Sequence, residues 1–487
     1  MDVWKWVSGF WQYGVAALTL LISIIGSCHA LLYKRDTRAA VLWVAFIWLA
    51  PLVGAVLYFI LGVNRIRRRA VLLRGNLERF RTHRRMPSDN LGEPGTDTRV
   101  PVTSKHLGAL ARVVDRITDR PLLPGNQIEP LMNGDEAYPA MLEAIANAKQ
   151  SITLSTYIFD RDEAGLAFAR ALGDAVRRGV EVRVLIDATG TRYSWPSILR
   201  TLRREKIRHA RFLPAFPLWR LVSINLRNHR KILIVDGRIG FTGGMNVRIG
   251  HWLSRRPAHP VQDIHFRAEG PIVSQMQDVF AEDWLFTTGE SLRGKQWFPP
   301  QEQRGPVTAR ALPDGPDEDY EVLRWTILGA LAAARHSVRI VTPYFVPDYA
   351  ILSALNISAM RGVAVDIILP SHSNLPMIHW ASRAHWWQVL ERGCRVWLTP
   401  PPFDHSKIMI VDNAWAMIGS ANWDQRSLRL NFEFNVECHD PGFATRLSAL
   451  VDSKLRRARP VTLEEVDGRS LPGKLRDGLA RLLTPFI

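Results

Sequence analysis

Two stretches of the chain pair a histidine with a lysine two residues on: NHRKILIVDG at 228 to 237 and DHSKIMIVDN at 404 to 413. Counting from each His, a Lys follows at +2 (Lys231, Lys407), an Asp at +7 (Asp236, Asp412), a Gly at +14 (Gly243, Gly419) and an Asn at +17 (Asn246, Asn422). Each apolar tail reads as a buried strand, where residues i and i+2 share a face, so every copy offers an imidazole and an ammonium side by side. One such match on an edge strand carries little. Two, in corresponding places, predict a site where two His, two Lys and two Asn surround a bound anion. A phosphodiester suits such a ring, because Lys and amide donors can hold its non-bridging oxygens as charge builds. One neutral His can attack phosphorus while the other, protonated, gives its proton to the leaving alcohol and later activates the incoming hydroxyl. An ordinary pKa near 6.5 makes both states accessible at neutral pH, and this chemistry calls for no metal or other cofactor. Asp236 and Asp412 belong to the candidate catalytic motif, but their odd offset turns them to the opposite strand face, which favours a strut holding backbone donors at the strand end.

The elements needed to position these groups repeat. AIANAKQSITLSTYIF (144 to 159) and AFARALGDAVRRGVEVRVLID (167 to 187) precede the first motif; ALAAARHSVRIVTPYF (330 to 345) and LSALNISAMRGVAVDIILP (352 to 370) precede the second. Strands alternating with helices predict an α/β fold, here two copies related by a pseudo-twofold axis, each a mixed sheet flanked by helices. The expected divisions are a first domain at 126–297, a linker at 298–316 and a second domain at 317–487. Three cysteines without a CxxC pair (Cys28, Cys394, Cys438) argue against a disulfide framework or structural zinc.

A net charge of +17 suggests polyanionic partners, and the first hundred residues decide between nucleic acid and membrane in favour of membrane. Residues 14–33 and 39–62 are uncharged and each long enough to cross a bilayer, which predicts a transmembrane hairpin within 1–63. Residues 64–125 read as a basic juxtamembrane segment and linker. Nine Arg and one Glu lie between Arg65 and Arg85, so the positive-inside rule puts everything after the hairpin in the cytoplasm. Residues 211 to 228 and 375 to 390 are apolar with Trp or Arg, fitting either a core or a lipid-facing lip. GKLRDGLARLLTPFI at the C-terminus spaces Leu475, Leu479, Leu482, Leu483 and Phe486 as a short amphipathic helix that either packs on the body or lies on the bilayer.

On its duplicated HxKxxxxD motifs the chain resembles the phospholipase D superfamily. TPYFVPD (342 to 348), GSANWDQRSLRLNFEFN (419 to 435) and the membrane segment LVGAVLYFILGVNR are similar to bacterial cardiolipin synthases, and the similarity runs from about residue 30 to the end. The resemblance implies phospholipase D-like domains that move a phosphatidyl group from one phosphatidylglycerol to another, releasing glycerol, at the bacterial inner membrane. It implies His229 as nucleophile and His405 as acid and base, an assignment that can be reversed, with Lys231, Lys407, Asn246 and Asn422 on the phosphate. It further implies a carboxylate behind each His: Asp263, 34 residues past His229, and Glu433, 28 past His405. A phospholipase D-type hydrolase or a nuclease would share both motifs, and a non-catalytic anion-binding membrane protein is a third reading.

Overall fold

The computed structural model describes residues 3–34, 37–59, 104–213, 226–316 and 321–482. Among them, fifteen strands form one continuous sheet whose order reads alike outward from its middle in both directions. On one side lie Leu123–Met132, Ile264–Glu269, Ile239–Gly243, Ile232–Val235, Ser151–Thr156, Glu181–Asp187 and Arg208–Phe212. On the other lie Val307–Asp314, Glu433–His439, Trp415–Gly419, Ile408–Val411, Ser337–Val341, Ala364–Pro370 and Arg395–Thr399, with Arg459–Val461 added at the edge. The halves join where Leu123–Met132 runs antiparallel to Val307–Asp314, with Asn126 opposite Val307. Each half carries a parallel pair crossed by a helix, Glu163–Arg177 or Tyr349–Met360. The His-Lys strands pair antiparallel to the first strand of each crossover in equivalent register, Ile152 opposite Val235 and Val338 opposite Val411.

The strand tails ILIV and IMIV are buried on both faces, as β-branched runs in the middle of a covered sheet must be. Each half has its own core on one face. A third core beneath helices Ile272–Thr288 and Pro441–Leu455 draws residues from both halves, among them Ile232, Phe266, Ile408 and Phe434.

Three expectations are revised. Residues 298–316 are not simply a linker, since Val307–Asp314 is wholly buried and is the innermost strand of the second half; Pro306 just ahead of it and Pro313 within it disguise it. In the segment 64–125, helix Gly108–Ile117 packs Leu110 and Val114 into the second half's core beside Leu323 and Ile327, and residues 60–103, with the Arg cluster, lie outside the described residues. The expected two-span hairpin is reduced to one helix, Val3–Tyr33, whose part Tyr13–Tyr33 is long and apolar enough to cross a membrane. The following stretch breaks into Thr37–Leu49 and Pro51–Leu57, because Ala50 leaves the helical region (φ −138, ψ 74) ahead of Pro51, whose ring clashes with the preceding turn and removes a donor. At 1.5 Å per residue the longer piece reaches only about 20 Å. It still folds back on the first helix, with Ile47 and Tyr58 packed on Ala30, and Tyr58 hydroxyl 2.7 Å from His29 Nδ1.

Asp236 and Asp412 stand at the far ends of the His-Lys strands, roughly 20 Å along an extended chain from their histidines, and line no part of the cavity described below. Contrary to the expectation that they belong to the catalytic motif, Asp236 and Asp412 are structural groups. Each adopts a left-handed conformation (φ 52 and 53), which Asp tolerates better than most residues. Asp236 accepts from the backbone N–H groups of Lys149, Gln150 and Ser151; Asp412 accepts from those of Arg335, His336 and Ser337. Each carboxylate thus clamps its strand to the start of the neighbouring one. Asp236→Ala or Asp412→Ala is expected to cost about 1–3 kcal/mol of stability and to leave turnover per folded molecule nearly unchanged. Thermal unfolding and active-site-normalised kinetics would check this; a large fall in turnover with unaltered stability would contradict it.

Candidate active site

Just ahead of each His-Lys strand the backbone crosses to the other half. The His229 N–H donates to the Phe432 carbonyl (2.8 Å), and the Phe432 N–H donates to the Arg227 carbonyl (2.8 Å). In the other crossing Phe403 and Asp404 run parallel to Val261 and Gln262, and the His405 N–H donates to the Gln262 carbonyl (2.8 Å). The next residue on each partner strand is a carboxylate. Glu433 Oε2 therefore sits 2.9 Å from His229 Nδ1, and Asp263 Oδ2 sits 3.0 Å from His405 Nδ1. Each histidine is backed by the carboxylate of the opposite half, not by the one that follows it in its own repeat.

Further contacts fix these carboxylates. Glu433 accepts from Ser420 Oγ (2.5 Å) and Asn431 Nδ2 (3.1 Å), and Asp263 accepts from the Ile264 N–H (2.8 Å). Arg230, fully buried between His229 and Lys231, points to the other strand face. It donates to the Glu433 carbonyl (3.0 Å) and pairs with Asp283 at 2.7 Å. The second half replaces this with Lys454 paired to Asp404. Gly244 has a close approach of its own: a Cβ there would come within 2.4 Å of Asp263 Oδ2 and 2.8 Å of the His405 carbonyl.

His229 and His405 open onto one cavity of about 500 Å³, lined also by Tyr157, Tyr344, Arg227, Arg248, Arg426, Asn246, Asn422 and His251. The Tyr157 ring lies 5.2 Å from that of His229, and Phe403 and Tyr344 lie 5.9 and 6.4 Å from that of His405. Lys231 and Lys407 are buried behind the histidines, and Lys231 Nζ donates to the His229 carbonyl (2.7 Å). Lys407 Nζ donates to the His405 carbonyl and also lies 2.9 Å from His405 Nδ1. Asn246 takes the Ile158 N–H on its Oδ1 (3.1 Å), whereas Asn422 donates to Ser427 Oγ (3.2 Å). The structure thus brings together every nucleophilic, basic and amide group that the motif spacing nominated.

Burial, then the neighbouring lysines, holds both histidines well below their ordinary value. Burial also pulls Lys231 well down, and Lys407 to about 8 against the pull of Asp263 and Glu433. Glu433 is pushed up to about 7 and Asp263 to about 6 by the same desolvation. Every buried charge here costs solvation, and an anion among the lysines and arginines would offset that cost. A neutral His229 giving its Nδ1 hydrogen to Glu433 leaves the Nε2 lone pair for a substrate atom. Sequence reasoning missed Ser420, Asn431, Arg230 and the cavity arginines; Arg230 alone had a signal, as a charge on the inward face of an apolar strand that must find a partner.

A family model described as cardiolipin synthase, PLD-like domain, matches residues 141–284 and 327–455, more than half of the chain. The chain belongs to this family. A second model, phospholipase D-nuclease N-terminal, matches residues 15–62. A cardiolipin synthase of Geobacillus kaustophilus is 30% identical over 99% of this chain and 96% of its own length. Cardiolipin synthase A of Pseudomonas fluorescens is 30% identical over 97% of each. Cardiolipin synthase 1 of Bacillus anthracis is 29% identical over 100% of this chain and 95% of its own. Among solved structures, phosphatidylserine synthase of Haemophilus influenzae superposes with a TM-score of 0.61 at 15% identity, covering 78% of this chain and 100% of that one, a likeness of fold. The chemistry of this family member is phosphoryl-group transfer or hydrolysis.

Removing the charge but not the shape of a carboxylate tests the crossing. Glu433→Gln and Asp263→Asn are each expected to lower kcat by about 10²–10⁴, with the change in KM far smaller, and Gly244→Ala to resemble Asp263→Asn. Full activity in the Gln and Asn variants would contradict the tautomer-setting role.

Proposed function

We propose that this protein is a cardiolipin synthase, transferring a phosphatidyl group between two phosphatidylglycerol molecules through a phosphohistidine. The observation that carries this reading is the pair of crossed histidine–carboxylate contacts facing one cavity, supported by full-length similarity to proteins of that name. His229 Nε2 attacks phosphorus, the bond from phosphorus to the glycerol oxygen breaks, and His405 gives its proton to that oxygen. Glycerol leaves. A hydroxyl of the second phosphatidylglycerol then loses its proton to His405 and attacks phosphorus, the phosphorus–nitrogen bond breaks, and His229 is restored. One phosphodiester replaces another, so the exchange is close to thermoneutral and reversible.

An asymmetry supports this division of labour. His229 Nδ1 meets the Glu433 carboxylate, with the Ser420 backbone also within hydrogen-bonding reach of the ring, which favours the nucleophilic tautomer, whereas His405 Nδ1 lies between Asp263 and Lys407. Lys231, Lys407, Asn246 and Asn422 hold the phosphate, and Arg227, Arg248 and Arg426 add positive potential at the cavity wall. Helix Tyr13–Tyr33 anchors the enzyme. The Arg-rich segment after residue 64 supports catalytic domains on the cytoplasmic side of the bacterial inner membrane.

Detergent-purified protein given labelled phosphatidylglycerol in EDTA is expected to yield cardiolipin and glycerol, since side chains supply the charge stabilisation. Phosphatidic acid as sole product would favour a hydrolase, and loss of activity in EDTA would overturn the metal-free chemistry. His229→Ala and His405→Ala are each expected to abolish turnover. The pH profile of kcat/KM reports the free enzyme: the nucleophile, depressed by burial, stays neutral below pH 6.5, and Lys407 loses its charge as pH rises through about 8. Because His405, held equally low in the free enzyme, must carry a proton in the same encounter, kcat/KM is expected to peak below pH 6.5 and decline as pH rises, with a further fall near pH 8 as Lys407 loses its charge; a rate flat to pH 9.5, on the order of one unit beyond that fall, would contradict the role of Lys407.

A further inference from the structure

Helix Leu471–Leu482 is turned inside out for a surface helix. Leu471, Leu475, Leu479 and Leu482 are 68, 64, 61 and 69% exposed, spaced by four, four and three residues along one stripe. Its inward side carries Asp477, 1% exposed and paired with Arg383, Arg469 and Arg476. A helix seated on a soluble body normally hides its leucines and shows its charges; this one neutralises its acid inside and presents the leucines.

Its position gives the stripe a use. Ala480 packs on Ala381 and Val346, with Ile378 and Trp380 beside them, and Val346, Ile378 and Leu375 line the catalytic cavity. The leucine-bearing helix is thus one layer removed from the cavity wall. The neighbouring helix Pro376–Arg383 shows Leu375 just ahead of it and Met377 in its first turn, both partly exposed. Lys474, Arg481 and the half-exposed Trp387 share a shallow groove along the flank. Apolar stripe, flanking cations and an amphipathic aromatic are what an interfacial helix presents to an anionic bilayer.

We propose that helix Leu471–Leu482, with Leu375 and Met377, forms a membrane-resting rim of the catalytic cavity, seated on the same anionic bilayer that helix Tyr13–Tyr33 enters. Acyl chains stay in the bilayer beneath the rim while the headgroup phosphate reaches the histidines. This rests on the reading that the substrate is a membrane phospholipid.

The test places an environment-sensitive fluorophore at position 479 of the full chain, through Leu479→Cys in a Cys28→Ser background, Cys394 and Cys438 being buried. In proteoliposomes of phosphatidylglycerol and phosphatidylcholine the probe is expected to shift to the blue and to be quenched by lipids carrying a spin label high on the acyl chain. A probe that stays water-like and unquenched would overturn the rim, as would a shift that follows protein density without lipid quenching, the mark of a second copy. Leu475→Gln with Leu479→Gln, in otherwise native protein, is expected to raise the vesicle-concentration KM by about tenfold while turnover of water-soluble short-chain phosphatidylglycerol stays within about twofold. An equal loss on both substrates would mean a folding role and would overturn the proposal. Quenching retained in an enzyme that makes no cardiolipin would leave the rim standing and remove the proposed acceptor instead.

Discussion

The arrangement depends on one constraint: a carboxylate of each half must lie against the imidazole of the other. Glu433 and Asp263 are fully buried, and a buried carboxylate without a partner is costly enough to be neutralised or expelled. Each reaches its partner because the backbone one residue earlier, at Phe432 or Gln262, is already hydrogen-bonded to the histidine's own N–H. Those crossings exist only because strands Leu123–Met132 and Val307–Asp314 pair antiparallel at the middle of the sheet. Neither half alone has a complete His–carboxylate pair, so duplication here builds one site, not two.

The same constraint sets the electrostatics. Two imidazoles and two lysines lie close together, buried, against two carboxylates, and desolvation pushes every one of them toward its neutral form. In the proposed reaction a phosphodiester entering this cluster would bring the negative charge that the lysines need, and with it the proton affinity that His405 would need to act as an acid. Binding and activation would then be one event, as expected where charge stabilisation is preorganised in a site shielded from water.

The chemistry was legible in the sequence where it is local. HxK alternation, the strand-end Asp and the repeat of helix and strand follow from side-chain periodicity alone. What escaped is tertiary. Nothing in the spacing of Asp263 and Glu433 reveals that they trade partners, because a strand's register in its own sheet says nothing of which loop crosses to it. Val307–Asp314 was hidden by its prolines, and the second apolar stretch looked long enough to span a membrane until the break at Ala50 and Pro51 divided it. The C-terminal helix was recognisable by period, but the direction its leucines face is decided by Asp477 finding three arginines.

The account stands or falls on where the phosphatidyl group is carried. The direct measurement is a single turnover of the purified enzyme with phosphorus-labelled phosphatidylglycerol, stopped by denaturation at alkaline pH to preserve the phosphorus–nitrogen bond, followed by peptide mapping. Label on the peptide containing His229, absent from Glu433→Gln and chased into cardiolipin when unlabelled lipid is added, is the predicted result. Label on His405, or turnover to cardiolipin with no protein-bound phosphorus at any time, would contradict it.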